Sequence, residues 1–412
     1  MRTFRPGRFF GILGGTVAIL TLGVYGPATL LGPLPAVTSA VSMTPEPETT
    51  SSPPVLPAEG ASAVIVDGDT APVAVSGTAD PIPIAGIAKL VTTLVVLDTK
   101  PVEAGHTGPS VTIGPADYQG YIDYSSADAR AVAVFPGESW TERELLQATI
   151  LGSSNNHADT LARWAYGSVD AYLGAANAWL AEHDLSGIHV VDTTGLSERS
   201  VGTASDVARL ATLTTGNPAI AEILANPASA LVNDRGVENT TSYLQSEGIT
   251  GISRSFTDAA GVCLLFSATV GEGDATMAFS AAFLREPDYD TLEADILALI
   301  TSARSGAAPV PVIAAGSEYA TFRAPWGDSA AAVAAVERTR PGWAAHSGMS
   351  RVELDDIGAA RVGAVVGRVT VTSPGGDVSS PLELDAAIGD PGPGWRLLNP
   401  IPMIGSLFTS WG

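Results

Sequence analysis

At 412 residues, 45 % of them hydrophobic and 16 % charged, the chain has the length of two or three domains and the apolar content to bury real cores, which excludes a disordered tail or a small stapled module. A formal charge of −22 repels phosphate backbones and excludes nucleic acid as a partner. One cysteine, Cys263, permits neither a disulfide framework nor a cysteine zinc cluster, and any lysine chemistry has only Lys89 and Lys100 to use.

Residues 1–42 read as an export signal or a signal anchor. Arg2, Arg5 and Arg8 precede an apolar run from Phe9 to Tyr25, which ends at Gly26-Pro27. The run is shorter than the ~20 residues of a comfortable span, and Thr38-Ser39-Ala40 is a mediocre cleavage site, so cleavage and retention as a membrane anchor both stay open. Residues 43–60 are a linker, with the proline-rich stretch Met43 to Pro57 as an extended spacer. A globular domain over 61–305 opens on a hairpin, Ala63 to Val66 and Val73 to Val75 around Asp67-Gly68-Asp69.

Ala85 to Leu97, apolar except at Lys89, Thr92 and Thr93, predicts a buried helix. Ser139 and Glu142 have capping-box spacing and predict a second helix from about Ser139 through Leu145, Leu146 and Ile150. Gly152 to Asn156 is a polar break. Ala158, Leu161, Ala162 and Ala165, then Leu173, Ala176 and Leu180, predict two further helices. Val262 to Val270 and Met277 to Leu284 predict strands joined by Gly271-Glu272-Gly273-Asp274, and a helix follows from Thr291 to about Ser302. The segment 306–412 reads as a separate β-rich domain, with runs at Val310 to Ile313, Tyr319 to Arg323 and Val362 to Thr372 and a turn at Pro374 to Asp377. Its last residues, Ile401 to Gly412, are too short to span a bilayer; they are able to lie on one, but packing onto the last domain is favoured.

Four segments carry a resemblance when taken in order: Pro83 to Thr92 around Lys89, Ser153-Ser154-Asn155-Asn156 to Thr160, Asp192-Thr193-Thr194-Gly195-Leu196, and Gly251 to Gly261. Together they resemble the D-alanyl-D-alanine carboxypeptidases, the low-molecular-mass penicillin-binding proteins of actinobacterial type, from about Ala61 to Leu384. The resemblance implies an α+β fold: a transpeptidase/β-lactamase-like domain with an antiparallel sheet, flanking helices and a helical subdomain, followed by the small β-rich domain.

That family uses three motifs, Ser-x-x-Lys, Ser-x-Asn and Lys-Thr-Gly. In the first, a lysine of lowered pKa activates the serine; the second serves proton relay and holds the acyl amide; the third binds the substrate carboxylate. Here Lys89 stands at the family lysine, but the nucleophile position three residues earlier is Gly86, which cannot form an acyl ester. Ser153 and Asn155 match the second motif. Ser253, Arg254 and Ser255 stand where Lys-Thr-Gly would be, and a side chain at Ser255 would crowd a substrate lying along the strand. Arg254 could pair with a carboxylate, but strand alternation favours a solvated structural arginine.

Other catalytic patterns are missing: neither Gly-x-Ser-x-Gly nor His-Glu-x-x-His occurs. His157 and Asp159, two apart on a helix, read as surface residues, and His106, His183, His189 and His346 show no ligand spacing. Cys263 reads as a buried structural cysteine. The expectation is an exported, non-catalytic homologue, at the cell surface or membrane-anchored through its N-terminal segment, that binds peptidoglycan stem peptide or a cell-wall enzyme partner, with no metal or cofactor. The rivals are an active serine-type carboxypeptidase in which Lys89 activates Ser153, and a structural surface protein.

Overall fold

The computed structural model describes residues 6–42, 53–273, 276–345, 349–373 and 376–409. Helix α1 (Pro6–Ile19) continues through a π-helical turn, Leu20–Tyr25, into α2 (Gly26–Leu30), and strand β1 (Thr38–Val41) follows. Residues 43–52 of the expected spacer lie outside the described residues, as does His346.

The hairpin forms as β2 (Ala61–Val66) and β3 (Ala74–Gly77), with Ala63 opposite Val75. The chain is then mainly helical: α3 (Ala88–Thr99), α4 (Pro115–Ser126), α5 (Glu142–Ile150), α6 (Asn155–Tyr166), α7 (Val169–Glu182), α8 (Ala204–Gly216) and α9 (Pro218–Ala225). Strands β4 (Ile249–Thr257), β5 (Gly261–Val270) and β6 (Met277–Glu286) lead into α10 (Tyr289–Gly306). The five strands make one antiparallel sheet in the order β4-β5-β6-β2-β3.

Period-two alternation explains why every residue of β2 is buried. Ala61, Ala63 and Ile65 join the core with α3 and α8, whereas Val64 and Val66 join a second core with Leu292, Ile296 and Leu299 of α10. Helix α3 lies in the first core with Ala88 to Leu97 all buried. Its polar positions are satisfied: Thr92 Oγ1 donates to the Thr193 carbonyl at 2.8 Å and Thr93 Oγ1 to the Lys89 carbonyl at 2.7 Å.

One predicted boundary is corrected. Ser139–Thr141 is a short strand paired with Ser110–Thr112, and α5 starts only at Glu142. The Ser/Thr-x-x-Glu spacing occurs twice, two residues apart, and the capping box uses the second copy: Thr141 N donates to Glu144 Oε2 at 2.9 Å, and Glu144 N to Thr141 Oγ1 at 3.3 Å. Helix α10 starts two residues earlier than expected because Asp288 caps it, accepting from Thr291 N at 2.8 Å, and it runs on to Gly306.

The C-terminal part holds a six-stranded antiparallel sheet: β7 (Glu318–Arg323), β8 (Ser329–Ala334), β9 (Met349–Leu354), β10 (Val365–Ser373) and β11 (Gly376–Leu384), in the order β1-β7-β8-β11-β10-β9. The predicted run Val310 to Ile313 pairs instead with Arg338–Pro341. The edge strand β1 comes from the stretch 1–42, read from sequence only as a leader; Thr38 is opposite Arg323 and Val41 opposite Ala320. Helices α11 (Gly392–Leu398) and α12 (Pro400–Thr409) end the described chain and pack on α2.

Candidate functional site

The open edge of the first sheet, strand β4, faces the helical part across a cleft of about 740 Å³. All three motif segments reach it. Gly86 sits in a 3-10 turn just ahead of α3, Lys89 in the first turn of that helix, Ser153 and Asn155 at the break between α5 and α6, and Arg254 and Ser255 on β4.

Lys89 is 5 % exposed, and its Nζ donates to the Thr194 carbonyl at 3.1 Å. Burial pulls its pKa down to about 8; Asp192 and Asp159 pull the other way, and the Arg130 charge adds to the lowering. The acceptor is positioned by Asp192, whose carboxylate accepts from Gly195 N at 2.8 Å, Ser197 N at 2.9 Å and Ser200 Oγ at 2.8 Å. This loop comes so close to the turn before α3 that a Cβ on Gly195, at φ 76°, would meet the Ala85 carbonyl oxygen at 1.7 Å.

Ser153 adopts φ 50°, a left-handed conformation uncommon outside glycine, which turns the chain from α5 into α6. Its neighbour Ser154 points inward: its Oγ accepts from Val132 N at 3.1 Å, donates to Asn156 Oδ1 at 2.8 Å, and lies 2.8 Å from His157 Nδ1. Asn156 Nδ2 closes the circuit on the Val132 carbonyl at 3.0 Å. Asn155 is 2 % exposed and lines the cleft, with its Oδ1 unpartnered.

His157 is therefore not a surface residue. It is fully buried, its ring 4.5 Å from that of Trp140, and burial lowers its pKa to about 3. Asp159 is half-buried and accepts from Tyr124 Oη at 3.0 Å and from Thr193 Oγ1. The short strand carrying Trp140 covers this turn of α6, which the spacing of His157 and Asp159 on their own helix does not reveal. Cys263 is buried, and burial pushes its thiol up to about 11.

On β4 the alternation holds. Ser255 turns toward α3, and its Oγ accepts from Gly86 N at 3.0 Å. A Cβ on Gly86 would lie 3.0 Å from the Ser255 Cβ, 3.3 Å from its Oγ and 3.4 Å from Lys89 Nζ. A side chain at residue 86 would therefore start in tight contact with Ser255 and beside Lys89. Ser253 is 9 % exposed beneath the cleft floor.

Arg254 departs from the solvated arginine expected. Its Nε donates to the Thr240 carbonyl at 3.1 Å, and its guanidinium lies 5.1 Å from the Tyr243 ring centroid and 5.7 Å from that of Tyr289. Tyr243, Tyr289, Arg130 and the Thr194 carbonyl were not identified from sequence. Tyr243, Tyr289 and Arg130 come from segments without a motif, and only the fold brings Tyr289 and Arg130 to the cleft and Tyr243 beside Arg254; Thr194 lies in the Asp192 to Leu196 segment, whose residue types do not show that its carbonyl receives Lys89.

Residues 47–280 match the peptidase S11 family, D-alanyl-D-alanine carboxypeptidase. The chain is 28 % identical over 299 residues to a D-alanyl-D-alanine endopeptidase of Escherichia coli, covering 69 % of this chain and 89 % of that protein. It is 27 % identical over 256 residues to a D-alanyl-D-alanine endopeptidase of Pseudomonas aeruginosa, covering 60 % and 79 %. Penicillin binding protein 5 from Haemophilus influenzae shares the fold, with a TM-score of 0.56 at 20 % identity over 85 % of this chain and 100 % of that one.

Proposed function

Since the chain belongs to the D-alanyl-D-alanine carboxypeptidase family, we propose that it is a non-catalytic member, exported to the cell surface, whose cleft holds the end of a peptidoglycan stem peptide without forming an acyl-enzyme. The observation that carries this reading is the pair Gly86 and Ser255. Residue 86 has no atom to bear an acyl group, and its N–H, the donor an oxyanion at that position would need, is already bonded to the Ser255 hydroxyl. Loss of the nucleophile alone costs a serine hydrolase about a million-fold in turnover.

Three features support retained binding. Ser153 and Asn155 line the cleft. Lys89 keeps a lowered pKa without a serine three residues before it. The Arg254 guanidinium lies close to two tyrosine rings and lines the cleft, where its charge is available to a carboxylate.

The test uses the purified full chain. A peptide ending in D-Ala-D-Ala is expected to release no D-alanine, and labelled penicillin to leave no covalent band. The same peptide at 100 times its dissociation constant should stabilise the fold by about 2.7 kcal/mol. Release of D-alanine, or a covalent label lost on Ser153→Ala, would sink the non-catalytic reading; no stabilisation at any peptide concentration would sink the binding one.

A further inference from the structure

The stretch Gly11–Leu30 is 20 residues of helix, long and apolar enough to cross a bilayer, and Ile12, Leu13, Val17, Ile19, Leu20 and Val24 stand exposed on it. A leader destined for removal should be joined to the mature protein by a segment that makes no lasting contacts. Residues 25–42 are instead held at several points between Tyr25 and Ser42.

Arg396 Nη1 donates to the carbonyls of Leu30 at 3.2 Å and Gly32 at 3.1 Å, acceptors that the end of α2 leaves without helical partners. Asp390 holds that arginine in place, accepting from its Nε at 3.2 Å. Tyr25 Oη donates to the Leu397 carbonyl, and Ser406 Oγ to the Pro33 carbonyl at 2.7 Å. Val37 is buried in the core of the C-terminal sheet, and Ser42 N donates to the Tyr319 carbonyl at 2.9 Å. Helix α11 is itself tied to that domain, its Trp395 ring 5.9 Å from that of Trp326. The tripeptide with cleavage-site character, Thr38-Ser39-Ala40, lies within β1, paired along its length with β7. Cutting there would strip an edge strand, a core residue and the acceptors of Arg396 from one domain.

We infer that this leader is not removed. It stays as a membrane anchor, and the C-terminal domain clasps the last turns of its helix, Tyr25 to Leu30, at the membrane surface, which leaves the part before Tyr25 for the lipid. Exposed Leu31, Leu398 and Ile401 surround the clasp and present an apolar rim to the membrane surface. The partner is the lipid bilayer. This inference rests on the proposed export and is independent of what the cleft binds.

The experiment expresses the full chain in a bacterium with a C-terminal tag, then measures resistance to alkaline carbonate extraction and the intact mass of the membrane-bound protein. An uncut chain that resists carbonate and is released by detergent is expected. An exported chain beginning after residue 40, or one that carbonate releases, would overturn the inference. An uncut chain in the cytosol would overturn the export reading and this inference with it; neither readout depends on stem-peptide binding. Elastase digestion of detergent-solubilised protein adds a local measure. Cutting within 31–42 should speed up several-fold in Arg396→Ala but not in the remote surface variant Asp258→Ala. Equal rates would overturn the clasp even if the first variant folds poorly, since poor folding also speeds cutting.

Discussion

The Ser255 hydroxyl accepts the Gly86 N–H at 3.0 Å, and a Cβ on Gly86 would lie 3.0 Å from the Ser255 Cβ. A side chain at residue 86 would crowd Ser255. Gly86→Ser alone should lose about 1–3 kcal/mol through overpacking, and adding Ser255→Gly should restore part of it with a coupling above about 0.5 kcal/mol. Urea denaturation of the four proteins in the cycle measures this; additive effects would show that no such crowding exists. Labelled penicillin should mark the double variant and neither the parent nor Ser255→Gly.

Lys89 should write its burial into the pH dependence of stability. Its folded value, about 8, lies below its ordinary 10.5. Below pH 8 both states hold the proton and the cost of burying the charge is fully present. Between 8 and 10.5 only the unfolded chain binds it, so stability rises with pH. Relative to Lys89→Met, the parent should gain roughly 3 kcal/mol between about pH 7 and about pH 11. A constant difference in denaturation free energy across that range would mean the ammonium is not disfavoured in the fold.

Arg254 is the side chain expected to set stem-peptide affinity. A charge-assisted hydrogen bond contributes about 1.5–3 kcal/mol, so Arg254→Ala should weaken calorimetric binding of the D-Ala-D-Ala peptide at least tenfold. Arg254→Lys should not rescue it, because an ammonium neither stacks as a plane beside Tyr243 and Tyr289 nor offers two parallel donors. Unchanged affinity in either variant would leave Arg254 only its structural bond to Thr240.

Glu286 gives the opposite sign from a paired carboxylate. It is buried with both carboxylate oxygens unpartnered, and burial first, then Asp295, Glu59 and Asp288, raise its pKa to about 7. The folded chain keeps this proton longer than the unfolded one, so stability falls as pH rises from about 4.5 to about 7. Glu286→Gln should therefore raise the melting temperature at about pH 8 and not at about pH 4. An equal gain at both would rule out titration of this group.

How far the sequence could be read follows from how local each feature is. The buried helix around Lys89, the polar break at Ser153 and the strands on either side of Gly271 are set by neighbours within one turn or one hairpin, and periodicity exposes them. The burial of His157 depends on Trp140, carried on a different element. Gly86 and Ser255 stand 169 residues apart, and Arg254 is held by Tyr243 and Tyr289 from separate segments. Motif order could place these residues near one another, but it could not show that the Ser255 hydroxyl accepts the Gly86 N–H and crowds that position. The capping box failed for a different reason: two equal local signals competed, and strand pairing with Ser110–Thr112 decided between them.

Strand β1 and its partner β7 are 285 residues apart at Thr38 and Arg323. The carboxypeptidase-like domain is therefore an insertion whose two stems both run into the same small sheet. During synthesis the first strand must wait, unpaired, until nearly the whole polypeptide has emerged, so completion of that sheet is a late and slow step. Once it is closed, the β1–β7 ladder bridges the two sides of the spacer, so a single nick there is expected to leave the N-terminal piece attached.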